Sequence, residues 1–436
     1  MPDSDFGREV SMASYKHSVT LDLSRCKGCT VCIKRCPTEA IRVRDGHANI
    51  KEDKCIDCGE CIRVCPYQAK KPIFDNLEDF SGYKYKIALP APALYGQFED
   101  LDDIDEILTA LMMCGFDAVF EVSKAAEIVT EYTRRYLKKE GIPRPVISSA
   151  CPAIVRLIGL RFSYLADNLL PIMPPIEYAA RLSRREALKN NPELKDEDIC
   201  VLFISPCPAK VSYVKNPLGV NKSAVDGVLA ISDMYFKIRA KRKEVKDPLP
   251  ISETGIIGLN WAGTGGEATS LLSDKYLAAD GIENCIKVLD QIDNGTIHNL
   301  DFVELNACSG GCVGGTLNVE NPYIAKARIR SLRKYLPVSR NRVDSTENDG
   351  GVAQDILLEK DIFDMDIMSN SGDRHTAIAR MAKAEEIYKQ LPHLDCGSCG
   401  APNCHALAED IVNGEADTDD CLVRLKDIYA RYRSKK

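Results

Sequence analysis

Between residues 82 and 336, short apolar runs alternate with longer stretches in which apolar residues recur every three or four positions. The short runs are "YKIALPA", "RPVISSA", "ICVLFIS" and "DFVELNA", and their length is typical of buried strands. The longer stretches are "DDIDEILTALMMC", "KAAEIVTEYTRRYLKK" and "IEYAARLSRREALK", whose spacing predicts amphipathic helices. Strands that alternate with helices predict an α/β fold with largely parallel strands.

Three of the four predicted strands run directly into a loop that contains a cysteine. In parallel sheets, binding sites form at the carboxyl ends of the strands. We therefore expect these loops to meet at one site.

The pattern changes outside this region. We expect residues 1–16 to form a poorly ordered lead, an N-terminal segment without regular structure, and residues 17–75 to form a compact cysteine-rich unit. Residues 337–373 carry few large apolar side chains apart from "DILLEKDIFDMDIM", which favours a linker or an excursion. Residues 374–436 predict a C-terminal unit, in which a helix over about 374–390 leads into further cysteines.

The composition of the chain mainly excludes some classes of partner and location. The net charge of −7 argues against nucleic acid as the main partner, because phosphate binding needs a basic surface. The longest apolar runs are too short to cross a bilayer, so we expect no membrane span. The N-terminal stretch "MPDSDFGREVSM" lacks the basic and apolar regions of a signal peptide, and we expect a cytoplasmic protein.

The chain has 19 cysteines. An odd count without a secretory signal argues against a disulfide framework, and clustered thiolates in a reducing compartment usually bind metal. Cys114, Cys200 and Cys285 stand alone in apolar stretches, where a cysteine is usually a buried structural residue.

One internal repeat spans Cys26–Pro37 and Cys55–Pro66, and each half has the spacing C-x2-C-x2-C-x3-C-P. This run is associated with paired [4Fe–4S] clusters, in which the fourth cysteine of each half binds the cluster of the other half. The repeat therefore predicts two quartets of cysteine ligands, one for each cluster. The alternative is that these cysteines bind zinc, which prefers four ligands in two separated pairs. The first quartet is Cys26, Cys29, Cys32 and Cys65; the second quartet is Cys55, Cys58, Cys61 and Cys36.

A C-terminal quartet has the spacing C-x2-C-x4-C-x16-C. Four thiolates suit either an iron–sulfur cluster or zinc. The stretch resembles the small iron–sulfur domain of the gamma subunit of CO dehydrogenase/acetyl-CoA synthase and of the B subunit of Rnf complexes, which favours a [4Fe–4S] cluster. The quartet is Cys396, Cys399, Cys404 and Cys421.

The central quartet consists of Cys151, Cys207, Cys308 and Cys312, in "SSACPAI", "ISPCPAK" and "ELNACSGGCVGG". Each cysteine follows an apolar strand and lies among small residues, which let the backbone and sulfur approach a bulky inorganic group. Such loops at strand ends predict a buried, sulfur-lined pocket.

From about residue 18 to 336, these three stretches and the unit in front of them resemble the [FeFe]-hydrogenase family. The resemblance implies an α/β H-cluster domain of two lobes with small sheets flanked by helices. A bacterial ferredoxin-like α+β domain would precede it, and a small, mostly helical Fe–S domain would follow. It further implies that Cys151, Cys207 and Cys308 bind a [4Fe–4S] cubane and that Cys312 also bridges to a two-iron subcluster.

With the other quartets, four [4Fe–4S] clusters are expected. In the family the two-iron subcluster carries CO, cyanide and an azadithiolate, and maturation proteins install it. By the same resemblance, Lys210 would hydrogen-bond one cyanide, and Pro92 and Ala93 would lie near the other. A cationic donor beside a buried anionic ligand makes physical sense, whereas the alternative for Lys210 is a surface lysine.

The resemblance also shows where the chain departs from catalytic members, which carry a proton-relaying cysteine at the position of Ala150. A methyl group cannot carry a proton. Tyr213 replaces a glutamate of the family pattern, Ser205 and Asn306 replace methionines, and Thr133, Tyr136 and Leu170 replace two relay glutamates and the relay serine. This pattern resembles the sensory branch of the family without a PAS domain.

We therefore expect an H-cluster protein with slow, reversible H2 oxidation and proton reduction that acts as a hydrogen or redox sensor. Its redox partner would be a ferredoxin or a signalling protein. The alternatives are an ordinary ferredoxin-linked hydrogenase with a non-standard proton path and a non-catalytic scaffold for iron–sulfur assembly. The complete eight-cysteine repeat and Lys210 count against the scaffold.

Overall fold

The structure is a computed structural model that describes residues 17–344, 346–363 and 374–434. The predicted lead over residues 1–16 lies outside the described residues, as do residues 364–373 of the predicted linker. We call residues 17–75 the N-terminal unit, 82–336 the central unit and 374–434 the C-terminal unit.

The strands of the described residues, in chain order, are β1 Val19–Leu21, β2 Ile41–Arg44, β3 His47–Ile50, β4 Lys70–Pro72, β5 Tyr85–Pro90, β6 Ala118–Val119, β7 Val146–Ile147, β8 Ile199–Ser205, β9 Gly227–Ala230, β10 Tyr276–Asp280 and β11 Phe302–Asn306. The helices are α1 Val31–Arg35, α2 Glu60–Arg63, α3 Ile104–Met113, α4 Val122–Leu137, α5 Pro152–Arg161, α6 Pro175–Asn190, α7 Pro208–Lys215, α8 Ile231–Arg242, α9 Ile256–Asn260, α10 Gly266–Ser270, α11 Ile282–Asp293, α12 Pro322–Leu332, α13 Arg374–Tyr388, α14 Cys404–Val412 and α15 Leu422–Ser434.

Two parallel sheets form the central unit, as the alternating pattern predicts. One has the order β6-β5-β8-β9 and the other β10-β11-β7. The predicted strands correspond to β5, β7, β8 and β11, and the predicted helices to α3, α4 and α6.

Strand β8 shows why this sheet lies inside the protein. All of its residues are buried. Val201 and Phe203 pack into the core beneath α4 and α6, whereas Leu202 and Ile204 pack into the opposite core beneath α3 and α8. Because successive side chains of a strand point to opposite faces, a strand covered on both faces has a continuous apolar sequence.

The N-terminal unit contains two antiparallel strand pairs, β1–β4 and β2–β3. Strand β1 precedes the repeat and β4 follows it, and the two strands pair so that Val19 lies opposite Pro72. This pairing brings the two cysteine runs side by side.

The described part of residues 337–363 follows the surface of the central unit. The Arg135 guanidinium donates hydrogen bonds to the backbone carbonyls of Asp344, Glu347 and Gly351. The amide of Met173 donates to the carbonyl of Ile356 at 2.8 Å. Within the described ranges this segment is therefore packed against the central unit along its length.

The C-terminal unit packs on the N-terminal unit. The Val43 amide in β2 donates to the Gly400 carbonyl at 2.8 Å. The Asp410 side chain, only 1% exposed, contacts Arg42 at 2.5 Å and Lys51 at 2.7 Å. None of the helices in the described ranges has the length and apolarity needed to cross a membrane.

Candidate metal centres and active-site cavity

The two halves of the N-terminal repeat adopt the same backbone. Residues 28, 30 and 39 of the first half have positive φ, and so do their counterparts 57, 59 and 68 in the second half. In both halves the last cysteine accepts a hydrogen bond from a backbone amide four residues on, at 3.3 Å for Cys36 and 3.2 Å for Cys65. Amide donors to sulfur stabilise a thiolate, which is the form that binds metal.

Each ferredoxin-type quartet lines one cavity. The first quartet surrounds a cavity between Leu21, Val43 and Tyr67. The second quartet surrounds a neighbouring cavity with Ile56 and Asp57 in its wall. The structure thus brings together the cysteines that the exchange of the fourth ligand predicts to share a cluster.

A buried cation lies between these two quartets. Lys70 is 3% exposed, and its Nζ has no hydrogen-bond partner among the described residues. Burial raises the pKa of the Cys32 and Cys61 thiols, and the Lys70 charge acts on both in the opposite direction. A buried ammonium needs a nearby negative charge, and anionic iron–sulfur clusters in both cavities would provide one.

The central cavity lies at the carboxyl ends of the parallel strands. Its volume is about 60 Å³, several times the roughly 10–15 Å³ that one water needs. Of the predicted site residues, the wall includes Cys151, Cys312, Lys210, Ala150 and Pro92. Cys207 and Cys308 are not among the lining residues, but both contribute, with Cys151 and Cys312, to the raised pKa of the Lys210 ammonium.

Lys210 is not a surface lysine. Burial opposes its charge, but the four cysteines of the central quartet together raise the pKa of its ammonium. Its Nζ lies 3.5 Å from the Ala150 carbonyl oxygen, which makes this a long and weak hydrogen bond. Lys210 lines the cavity, where an anionic group would accept its other protons.

Two glutamates that the sequence analysis missed also line the cavity, Glu267 and Glu304. Ser148 donates to Glu267 Oε2 at 2.6 Å, while Glu267 Oε1 is buried without a partner among the described residues. Glu304 is fully engaged, since it accepts from the amides of Gly265 and Ala268, each at 2.9 Å. Burial, and for Glu267 the repulsion by Glu304, raises the pKa of both carboxyl groups.

The sulfur spacing tests whether a single zinc ion or a larger cluster fits these sites. Four thiolates about 2.3 Å from a tetrahedral zinc ion would lie about 3.8 Å from one another. Within the described part of the chain, no three cysteine sulfurs lie within 4.8 Å of one another; the group that does is His17, Cys55 and Asp57. No quartet of the described residues therefore has the spacing of a tetrahedral zinc site, and donor sets made of thiolates suit iron–sulfur clusters.

The C-terminal quartet is only partly enclosed. Cys404 and Cys421 are buried in one apolar core against which Cys399 packs, while Cys396 is exposed. Hydrogen bonds from Ser398 lower the pKa of the Cys396 thiol. One edge of this site is open to solvent.

The family described as "Iron only hydrogenase large subunit, C-terminal domain" matches residues 84–272 and 266–316, more than half of the chain. The chain belongs to this hydrogenase family. A "4Fe-4S dicluster domain" matches residues 18–66, and an "Fe-S cluster" family matches residues 391–423.

Curated hydrogenases are similar at low identity. The periplasmic [Fe] hydrogenase large subunit of Nitratidesulfovibrio vulgaris is 25% identical, over 75% of this chain and 92% of that protein. Iron hydrogenase 1 of Clostridium pasteurianum is 24% identical, over 72% of this chain and 68% of that protein. A solved [FeFe]-hydrogenase structure that concerns stepwise H-cluster assembly has 16% identity and a TM-score of 0.49, and covers 65% of this chain and 95% of that one.

Three other predicted positions of the hydrogenase domain differ in whether they line the cavity. Ala93 is fully buried beside Pro92 but does not line the cavity, whereas Ala91 does. Asn306 lines it and donates to Glu304 at 2.8 Å. Ser205 instead donates to the backbone carbonyl of Cys207.

Apart from Ala150, the positions that the resemblance assigns to a proton relay are not among the residues that line the cavity. Thr133 is buried and donates to the Val129 carbonyl within α4. Tyr136 and Leu170 pack in the core, and the hydroxyl of Tyr213 is buried without a partner in the described residues. The four positions share no hydrogen bond that would connect them.

Cys200 and Cys285 are buried, and Cys114 is half-buried against a core, so none of the three lines a predicted metal site. Glu304 could have been predicted as a site residue from its position in "DFVELNA", where one charged residue interrupts an apolar strand. Glu267 had a weaker signal, a lone charge among small residues in "GTGGEAT".

Proposed function

We propose that this protein binds an H-cluster in the central cavity, catalyses slow and reversible H2 oxidation and proton reduction, and acts as a hydrogen or redox sensor. The observation that supports this most is that Cys151, Cys312 and Lys210 line one cavity with Ala150, while Cys207 and Cys308 lie near enough to act on the Lys210 charge. A bound H-cluster supplies the reversible cleavage of H2 into protons and electrons.

The residues would divide the work of holding the group. Cys151, Cys207 and Cys308 would hold the cubane, and Cys312 would join it to the two-iron subcluster. Lys210 would donate to one cyanide, and the backbone around Pro92 and Ala93 would enclose the other. Maturation proteins would have to supply the subcluster with its CO, cyanide and azadithiolate.

Proton supply is the step at which the chain's own residues differ from catalytic relatives. Ala150 has no proton to give, and the positions of the usual relay are unconnected. Glu267 has a free carboxylate oxygen in the cavity wall, and burial and Glu304 favour its protonated form. We assign to Glu267 the role of the proton-exchanging group in the cavity wall, with Ser148 holding its other oxygen in place.

Glu267 also supports a second candidate function, an ordinary ferredoxin-linked hydrogenase with a non-standard proton path. A carboxylic acid of raised pKa can relay protons near neutral pH. The two candidates share the cluster and the ligands, and they differ in turnover.

The three units form a continuous route for electrons, with a ferredoxin-like domain over 17–75, a hydrogenase domain over 82–336 and a C-terminal [4Fe–4S] domain over 374–436. Cys58 of the second quartet and its neighbour Ile56 pack in the same core as Cys151 and Cys207. Cys32 and Cys61 place the first and second quartets in one core. This arrangement supports transfer from the central cavity through both ferredoxin-type clusters.

Val43 extends this route to the C-terminal unit. It lines the cavity of the first quartet, and its amide donates to Gly400, the residue after Cys399. We propose that the C-terminal cluster is the outermost member of the chain and that a ferredoxin or a signalling protein exchanges electrons there.

The test is infrared spectroscopy and hydrogen turnover of the fully matured protein. CO and cyanide bands would demonstrate the cofactor, and we expect rates about 10²–10⁴-fold below those of cysteine-containing relatives. The Ala150→Cys variant should recover little, because one thiol does not rebuild a relay of unconnected positions. Rates equal to those of catalytic relatives would reject the sensor and support the second candidate, whereas missing bands in matured protein would reject both.

A further inference from the structure

A second cavity lies on the far side of the glycine-rich loop that carries Glu267. Its volume is about 340 Å³, within the range of about 300–1,000 Å³ for small-molecule sites. Gly263–Gly266 form one wall, and residues of α12 and the turn after it form the opposite wall.

Three cations from one helix face line this cavity, Lys326, Arg330 and Arg333. Their spacing of four and three residues places them one above another, where like charges repel. Within the described ranges, none of the three makes an ion pair. Arg328, on another face of the same helix, is paired with Glu99 at 3.1 Å and Glu320 at 2.9 Å.

This contrast matters because acidic residues outnumber basic ones in the chain, 64 to 57. Carboxylates are available to neutralise this helix, and they do so only outside the cavity. A concave site with three uncompensated cations favours an anionic ligand with more than one charge. The Arg guanidinium groups suit the bidentate binding of phosphate oxygens.

The opposite wall is formed by the backbone of the glycine-rich loop. A Cβ added at Gly265 would meet no atom nearer than Ala278 Cβ at 4.0 Å, so the space beside this residue is open. A ligand can therefore contact the peptide backbone closely there. Asn260 and Thr269 add polar side chains to the rim, and Ile329 adds an apolar surface.

We propose that this cavity binds a small organic molecule with two or more phosphate groups, such as a nucleoside diphosphate or triphosphate. The loop connects the site to the central quartet. Thr264 donates to the Gly310 carbonyl at 3.2 Å, and Val313 donates to the Ala262 carbonyl at 2.9 Å, so the loop is bound on both sides of Cys312. Ligand binding is therefore sensed at the cluster loop, a coupling that rests on the proposed function.

The binding test is isothermal titration calorimetry of the full-length protein with its iron–sulfur clusters. The probes are inorganic pyrophosphate and ATP, with adenosine and sulfate as controls at constant ionic strength. We expect saturable binding of pyrophosphate and ATP at one site. Changing Lys326, Arg330 or Arg333 to Gln should weaken it about tenfold each, the loss of one charge-assisted contact.

Lys334→Gln is the matched control, because Lys334 is exposed beside Arg333 but does not line the cavity. Its affinity should stay within about threefold of the unmodified protein. The proposal is wrong if no phosphate probe binds, if Lys334→Gln weakens binding as much as Arg330→Gln, or if sulfate binds as tightly as pyrophosphate, which would indicate an adventitious ion only.

Coupling is measured separately. Saturating pyrophosphate should change the electron paramagnetic resonance spectrum of the reduced central cluster in the unmodified protein but not in Arg330→Gln. Calorimetry does not depend on hydrogen chemistry, so the phosphate site can stand even if the proposed function fails. An unchanged spectrum at full occupancy would reject the coupling.

Discussion

At the scale of single residues, Glu267 should affect both stability and turnover. Its folded-state pKa is raised, so between the ordinary Glu pKa of about 4.3 and that raised value the folded protein binds more protons than the unfolded chain. Stability therefore falls as pH rises through this window. We expect Glu267→Gln to be more stable than the unmodified protein at pH 8 and similar to it near pH 4, as measured by thermal unfolding.

In matured protein, the same variant should also slow hydrogen evolution by about 10²-fold, because an amide cannot relay a proton. Glu121→Gln is the control, since burial raises the pKa of Glu121 to about 7 but this residue does not line the cavity and accepts a hydrogen bond from the Tyr95 hydroxyl at 2.9 Å. The control should share the stability effect and keep the rate. Equal rates in both variants would remove Glu267 from the proton path.

Lys70 should set the potentials of both ferredoxin-type clusters. Its buried ammonium lies beside Cys32 and Cys61, and a nearby positive charge favours the reduced, more negative cluster. Lys70→Gln should lower both reduction potentials by about 60 mV, a tenfold change for a one-electron couple. Lys71→Gln is the control, because Lys71 is half exposed and paired with Asp22. A redox titration followed by electron paramagnetic resonance makes the measurement, and a shift confined to one cluster would contradict this position for Lys70.

At the scale of elements, one buried carboxylate holds the C-terminal unit in place. Asp410 on α14 neutralises Arg42 and Lys51 across the interface. Asp410→Asn leaves those cations without a buried partner and should cost about 3–5 kcal/mol of docking free energy. We expect faster proteolytic release of the unit, while Glu415→Gln, an exposed partner of Lys51, should behave like the unmodified protein. Unchanged protection in Asp410→Asn would mean that other contacts hold the unit.

The sequence predicts elements better than it predicts their packing. Strand β8 could be predicted because a strand that is buried on both faces is apolar throughout. Helix α4 could be predicted because a helix that is buried on one face has apolar residues every three or four positions. The docking of Gly400 on Val43 could not be predicted, because one backbone hydrogen bond leaves no trace in either segment. The same holds for Asp344, Glu347 and Gly351, which Arg135 contacts only through their backbone carbonyls. The two ferredoxin-type quartets and the C-terminal quartet follow from cysteine spacing, and the central quartet from the position of its cysteines after apolar strands. Glu267 left only a weak signal, because the fold alone brings it into the cavity wall.

At the scale of the whole molecule, four quartets predict about sixteen irons before maturation and about two more afterwards. Cys421→Ser removes one ligand of the outermost cluster and should lower the iron content by about four. Cys114→Ser, which changes a half-buried cysteine outside the quartets, should leave it unchanged. Stoichiometric zinc in the C-terminal unit would contradict the assignment there.

The order of the centres gives a further expectation for the same pair of variants. Because Val43 separates the first quartet from the C-terminal loop, the two reduced clusters should show magnetic interaction in the electron paramagnetic resonance spectrum. This interaction should vanish in Cys421→Ser and persist in Cys114→Ser. Electron delivery from hydrogen to an external acceptor should also slow in Cys421→Ser, while the infrared bands of the matured central site stay the same. If the magnetic interaction survives loss of the C-terminal iron, it arises between the clusters of the first and second quartets alone. If Cys421→Ser delivers electrons at the unmodified rate, the partner contacts the N-terminal unit instead.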